Sequence, residues 1–63
     1  MSLLEQLREF KTVSALAQSL RAQNPGFNTA PELATLYSHS IMDAINYQND
    51  DHACRLYRMA LTA

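Results

Sequence analysis

His39 and Asp43 stand four residues apart, the separation at which two side chains on one helix touch, so the carboxylate could orient the imidazole or both could ligate a metal. Both fall on the polar side of the segment that carries them, where an exposed ion pair is commonplace, and that pair is the expected state. His52 and Cys54 are two apart and would diverge by about 160° on a helix, so they cannot share a metal without ligands from elsewhere. Cys54 falls on an apolar face beside Tyr57 and Leu61, with no histidine at an activating spacing, and should pack as a small hydrophobe. Ser14, Ser19, Ser38 and Ser40 lack a glycine elbow, and the single glycine, Gly26, can build neither a nucleophile turn nor a phosphate-cradling loop. No catalytic, cofactor or metal site is expected, and the chain is expected not to be an enzyme. A small metal-dependent enzyme would instead require His39, Asp43 and His52 to converge.

The charged residues carry more information about partners than about catalysis. Arg55 and Arg58 are three apart and could grip an acidic groove or phosphates, although an ion pair between Asp51 and Arg55 plus complementation of a helix dipole is the simpler expectation. Five Lys plus Arg against six Asp plus Glu leave a net charge of -1, without the basic footprint that phosphate neutralisation demands. Direct nucleic-acid binding is disfavoured. Its best form would be a basic strip assembled on dimerisation from Arg8, Lys11, Arg21, Arg55 and Arg58. A helix-turn-helix is disfavoured as well, because Asn24 to Asn28 is longer than its tight turn and the following segment carries no Lys or Arg.

The elements that would position these residues are helical. Ser2 with Glu5 has capping-box spacing ahead of Leu3, Leu4, Leu7 and Phe10, which predicts a first helix from Ser2 to about Phe10. The apolar pattern resumes as Val13, Leu16, Ala17 and Leu20, but rotated by roughly a quarter turn. A break at Lys11 and Thr12 follows, with Thr12 capping a second helix to about Gln23; one curved helix from Ser2 to Gln23 is the alternative. Asn24, Pro25 and Gly26 then stop the chain, with Asn24 as a left-handed cap and Gly26 supplying positive φ. Phe27, an aromatic in a polar loop, should fold back as a lid over the core.

Thr29 and Glu32 repeat the capping-box spacing with Pro31 in the first turn, predicting a third helix to Gln48. Leu33, Leu36, Tyr37, Ser40, Ile41, Ala44 and Gln48 cluster on one side of it, Ala34 and Ile45 widen that side, and Met42 stands opposite. Such a circumference calls for two neighbours. Asn49, Asp50 and Asp51 interrupt it and can cap a fourth helix from about Asp51 to Leu61, whose apolar face is Ala53, Cys54, Leu56, Tyr57, Ala60 and Leu61.

The expected fold is an all-α single domain over residues 1–63, a small bundle of three or four short helices, dimeric. The dimer is expected on energetic grounds. Area scaling gives roughly 6,000 Å² buried on folding; with about 60% of it apolar, burial contributes about 90 kcal/mol at about 25 cal/mol/Å². Ordering the chain at about 1.5 kcal/mol per residue costs roughly the same. A lone cysteine removes the disulfide remedy, leaving a second copy. One cysteine without a secretory signal also suits a reducing cytosol, and the apolar runs fall far short of the roughly 20 residues that cross a bilayer. No membrane association is expected.

The whole run SLLEQLREFKTVSALAQSLRAQ, continued by NPGFNTAPELATLYSHSIMDAINYQNDDHACRLYRMA, resembles the small early protein of this length encoded in the exo-xis region of lambdoid bacteriophages. The resemblance implies an accessory protein made early in infection, acting in the host cytoplasm on an unidentified host or phage protein and biasing the choice between lytic growth and lysogeny. It implies no catalytic residues. A partial likeness, in LREFKTVSALAQSLRAQ followed by ELATLYSHSIMDA, is to small helical proteins that bind nucleoid-associated regulators, whose basic character is missing here. Protein contact is therefore the expected mode of action, with Met42, His39, Arg55 and Arg58 as the outward-facing contact residues.

Overall fold

The computed structural model describes residues 2–63 as four α-helices, α1 Leu3–Glu9, α2 Val13–Gln23, α3 Pro31–Asn46 and α4 Asp50–Thr62, with a 3-10 turn at Pro25–Asn28. No strand occurs among these residues, so the fold is all-α. The first two helices begin as their sequences require. The Glu5 N–H donates to Ser2 Oγ at 3.2 Å, and the Ala15 N–H donates to Thr12 Oγ1 at 3.1 Å. Between them the chain is extended at Phe10 (φ -75°, ψ 125°), so the quarter-turn slip in the apolar pattern is a true break.

Two cap expectations are corrected at the α2–α3 connection. Thr29 does not cap α3: it has helical dihedrals (φ -87°, ψ -17°), whereas an N-cap is non-helical. Its hydroxyl donates backwards to the Gly26 carbonyl at 2.9 Å, and α3 starts from Ala30 without a side-chain cap. Pro31 does occupy the first turn. Nor is the left-handed region used at Asn24 (φ -127°) or at Gly26. Asn24 is extended because its side chain is employed elsewhere: Nδ2 donates to the Ala60 carbonyl at 2.9 Å and to an Ala63 oxygen at 2.8 Å, and Oδ1 accepts the Gly26 N–H at 3.0 Å. Together with the Tyr57 hydroxyl, which donates to Gln23 Oε1 at 3.0 Å, it ties the end of α2 to the end of α4. Phe27 is buried in the core with its ring 6.0 Å from that of Tyr37, so it folds back as expected.

The left-handed residue is Gln48 (φ 59°), just beyond α3. The Asn49 N–H reaches the Ala44 carbonyl at 2.8 Å and the Gln48 N–H reaches Ile45 at 3.0 Å, the paired bonds of a Schellman ending. The helix therefore closes at Asn46, two residues before the expected Gln48, and the chain reverses into α4.

The face that α3 buries is also corrected. Ala34, Ser38, Ile41 and Ala44 are its buried residues, whereas Leu33 and Leu36, expected in the core, are 44% and 62% exposed. The physical reason is close approach. Ala17, Ala34, Ala44, Ala53 and Ala60 are all buried, and small side chains at the crossings let α2 and α4 sit against α3 with Leu16, Leu20, Phe27 and Ile41 filling the spaces between. Ser38 joins this face because its hydroxyl donates to the Ala34 carbonyl at 2.7 Å and so is satisfied in the core. Met42 does not stand opposite. It is half-buried and packs on the core from the side that α1 covers. On α4 the expected face is the observed one, with Ala53, Tyr57 and Ala60 buried and Cys54, Leu56 and Leu61 packed beside them.

Candidate interaction surfaces

Grooves open around α3 toward α2, α4 and α1; the one toward α2, of about 390 Å³, is lined mostly by polar side chains, with Val13, Ser14, Ala17, Gln18, Arg21 and Thr35 around it. On the α4 flank, Leu33, Leu36, Tyr37, Ser40 and Leu56 line a shallow groove of about 280 Å³. The positions Leu33, Leu36, Ser40 and Tyr47 follow a spacing of three, four and seven, which holds side chains on one stripe of a helix. Four large hydrophobic side chains remain exposed among the described residues: Leu33 and Leu36 in this groove, Tyr47 (84%) just past the end of α3 and Met59 (51%) on α4.

Charge borders this strip unequally. On the α3 edge Glu32 lies one turn before Leu36, and Asp43 lies one turn before Tyr47. On the α4 edge Arg55 lies one turn before Met59. His39 Nδ1 and Asp43 Oδ2 are 3.2 Å apart with both side chains more than half exposed, so the pair is the surface contact that its spacing predicts. Arg55 and Arg58 are exposed on α4, and the Asp51–Arg55 ion pair expected from the sequence is not formed. Both side chains are well solvated, which removes most of the gain from pairing. The acid that does pair is Asp50. It faces α1, where Arg8 Nη2 donates to its Oδ2 at 3.5 Å, while Oδ1 is shielded without a partner among the described residues.

On the other flank a groove of about 190 Å³ lies between α1 and α3, lined by Leu7, Arg8, Phe10, Lys11, Met42, Ile45 and Asn46. Met42, expected to project from the bare face of α3, is the wall of this groove. The four contact residues expected from the sequence are therefore distributed: Met42 in the α1–α3 groove, His39 beside the apolar strip, and Arg55 and Arg58 on α4. Leu33 and Leu36 are expected in the core because a leucine at helical spacing reads as buried, but both are exposed. The displaced signal was the run of alanines, which marks close crossings.

Among the described residues no group of three His, Cys, Asp or Glu side chains is gathered to hold a metal, and His39, Asp43 and His52 are not brought together. No described helix is long and apolar enough to cross a membrane. The chain matches no protein-family model, no curated protein and no solved structure.

Proposed function

We propose that this protein is a small accessory regulator that works by protein–protein contact as a homodimer, and that it belongs to the early phase of a bacteriophage infection, acting in the host cytoplasm on the choice between lytic growth and lysogeny. The developmental setting rests on the sequence resemblance. The mode of action rests on one observation: Leu33 and Leu36 stay exposed beside Tyr37 and Leu56 in an apolar groove between α3 and α4. Monomers rarely leave such residues contiguous without a use for them.

The strip suits a second copy. In a two-fold contact each surface meets itself, so the α3–α4 groove of one protomer packs on that of its partner. The longest face of the molecule measures 31 × 18 Å, so even full coverage of it involves roughly 550 Å² per protomer, the size class of a weak, reversible contact.

Light scattering coupled to size exclusion tests this reading. The wild type should have twice the mass of the chain at micromolar concentration, and Leu36→Asp should halve it while the helical circular dichroism is retained, because Leu36 is already 62% exposed. A wild type that stays monomeric, or a Leu36→Asp variant of unchanged mass, overturns the proposed dimer. Salt-dependent retardation of duplex DNA by the wild type would favour the basic-strip alternative.

A further inference from the structure

We infer that the groove between α1 and α3 is an anchor site for an acidic amphipathic segment of a partner protein, in which one large apolar side chain enters the groove while a neighbouring carboxylate meets Lys11 and Arg8. The inference rests on the reading that the protein acts by protein contact, but it uses the flank of α3 opposite to the self-association strip.

The groove exists because of the break after α1. The extended backbone at Phe10 carries Phe10 and Lys11 off the helix and out beside Met42, Ile45 and Asn46 of α3. Its floor is apolar, from Leu7, Phe10, Met42 and Ile45, and its charged lining has one sign, from Arg8 and Lys11. At about 190 Å³ it is small. An apolar cavity of about 150 Å³ holds benzene, whereas small-molecule and cofactor sites run from about 300 Å³ upward. The size fits a single aromatic or branched side chain and leaves out a cofactor.

Charge selects what accompanies that side chain. Asp50 takes only Nη2 of Arg8, at 3.5 Å, and the Arg8 side chain is 55% exposed, so its other donors stay open to a second carboxylate. Lys11 is exposed and takes part in no ion pair among the described residues. With Asp50 counted, the rim keeps one net positive charge on a chain whose overall charge is -1. An acidic segment is complementary to it and a basic one is repelled. Asn46 can add a hydrogen bond to the segment's backbone, and the flexible thioether of Met42 adapts to the anchor's shape.

The test uses the full chain and a labelled synthetic amphipathic peptide with a single Phe and glutamates one turn to either side, followed by fluorescence anisotropy and by amide NMR shifts. Saturable binding is expected, weakening as salt is raised, with shifts confined to residues 7–11 and 42–46. Lys11→Glu should lower the affinity about tenfold with unchanged melting, and replacing the peptide's Phe by Ala should abolish binding. Equal binding of the peptide with lysines in place of glutamates, shifts centred on Leu33, Leu36 and Tyr47, or no saturable binding overturns the inference. Leu36→Asp separates the two surfaces: it should lose self-association and keep the peptide. If its mass is unchanged and the peptide still binds, the dimer fails and the anchor site stands.

Discussion

Ile41 and Met42 are neighbours in the chain whose surroundings differ, and the difference sets what a charge would do at each. Ile41 is fully buried among Leu and Ala side chains with no partner for a carboxylate. Ile41→Asp should therefore unfold the domain, costing more than about 3 kcal/mol, read as loss of the helical circular dichroism. Met42 is half-buried, with its wall facing the groove beside Arg8 and Lys11. Met42→Asp should lose packing yet keep access to water and to two cations, for a cost of about 1–3 kcal/mol, read as a lowered but still cooperative melting point. Ser38 gives the opposite case. Its hydroxyl only back-bonds to the Ala34 carbonyl, so Ser38→Ala removes a polar atom from the core without stranding a partner and should change stability by less than about 0.5 kcal/mol.

At the scale of the elements, the turn after α3 stores the clearest backbone strain. Gln48 takes φ 59° at the position of a Schellman ending that favours glycine, because a Cβ there crowds the following carbonyl. Gln48→Gly should stabilise the protein by about 0.5–1 kcal/mol, seen as a higher midpoint in urea with an unchanged slope. Gly26 should behave in the reverse sense. Its φ is negative, but an added Cβ would stand 3.0 Å from Asn24 Oδ1, an atom held by the clasp onto α4 and unable to give way cheaply. Gly26→Ala should lower the same midpoint. These two positions also mark the limit of what the sequence reveals. Ser2 and Thr12 act as caps where they are expected because each interaction is local, three residues long. Thr29 fails, and Asn24 adopts an unexpected role, because long-range hydrogen bonds to Ala60 and Ala63 and the 3-10 turn decide their backbone. Helix existence was legible for all four helices. The buried face of α3 was not, because periodicity weighs leucines heavily, whereas the crossings are chosen by alanines.

For the whole molecule the question is how far one copy satisfies itself. The accessible surface is 4139 Å², close to the roughly 4,100 Å² that area scaling gives for a folded monomer of this mass. One copy is thus as compact as its size permits. The motive for the proposed self-association is the composition of the surface left over, with Leu33 and Leu36 exposed in the α3–α4 groove, rather than incomplete folding. That distinction has a thermal consequence. If the dimer forms from folded protomers, binding of the second copy adds to stability by mass action, so the melting temperature should rise with protein concentration. Leu36→Asp should abolish that rise and fall on the low-concentration limit of the wild type, because it removes the contact and leaves the core untouched. Differential scanning calorimetry over a hundredfold range of concentration, on the order of 1.4 kcal/mol for each tenfold step, measures both. A wild-type melting temperature independent of concentration would mean that the apolar flank is tolerated by the monomer. The same result for Leu36→Asp alone, with a rising wild type, places the association on the α3–α4 strip.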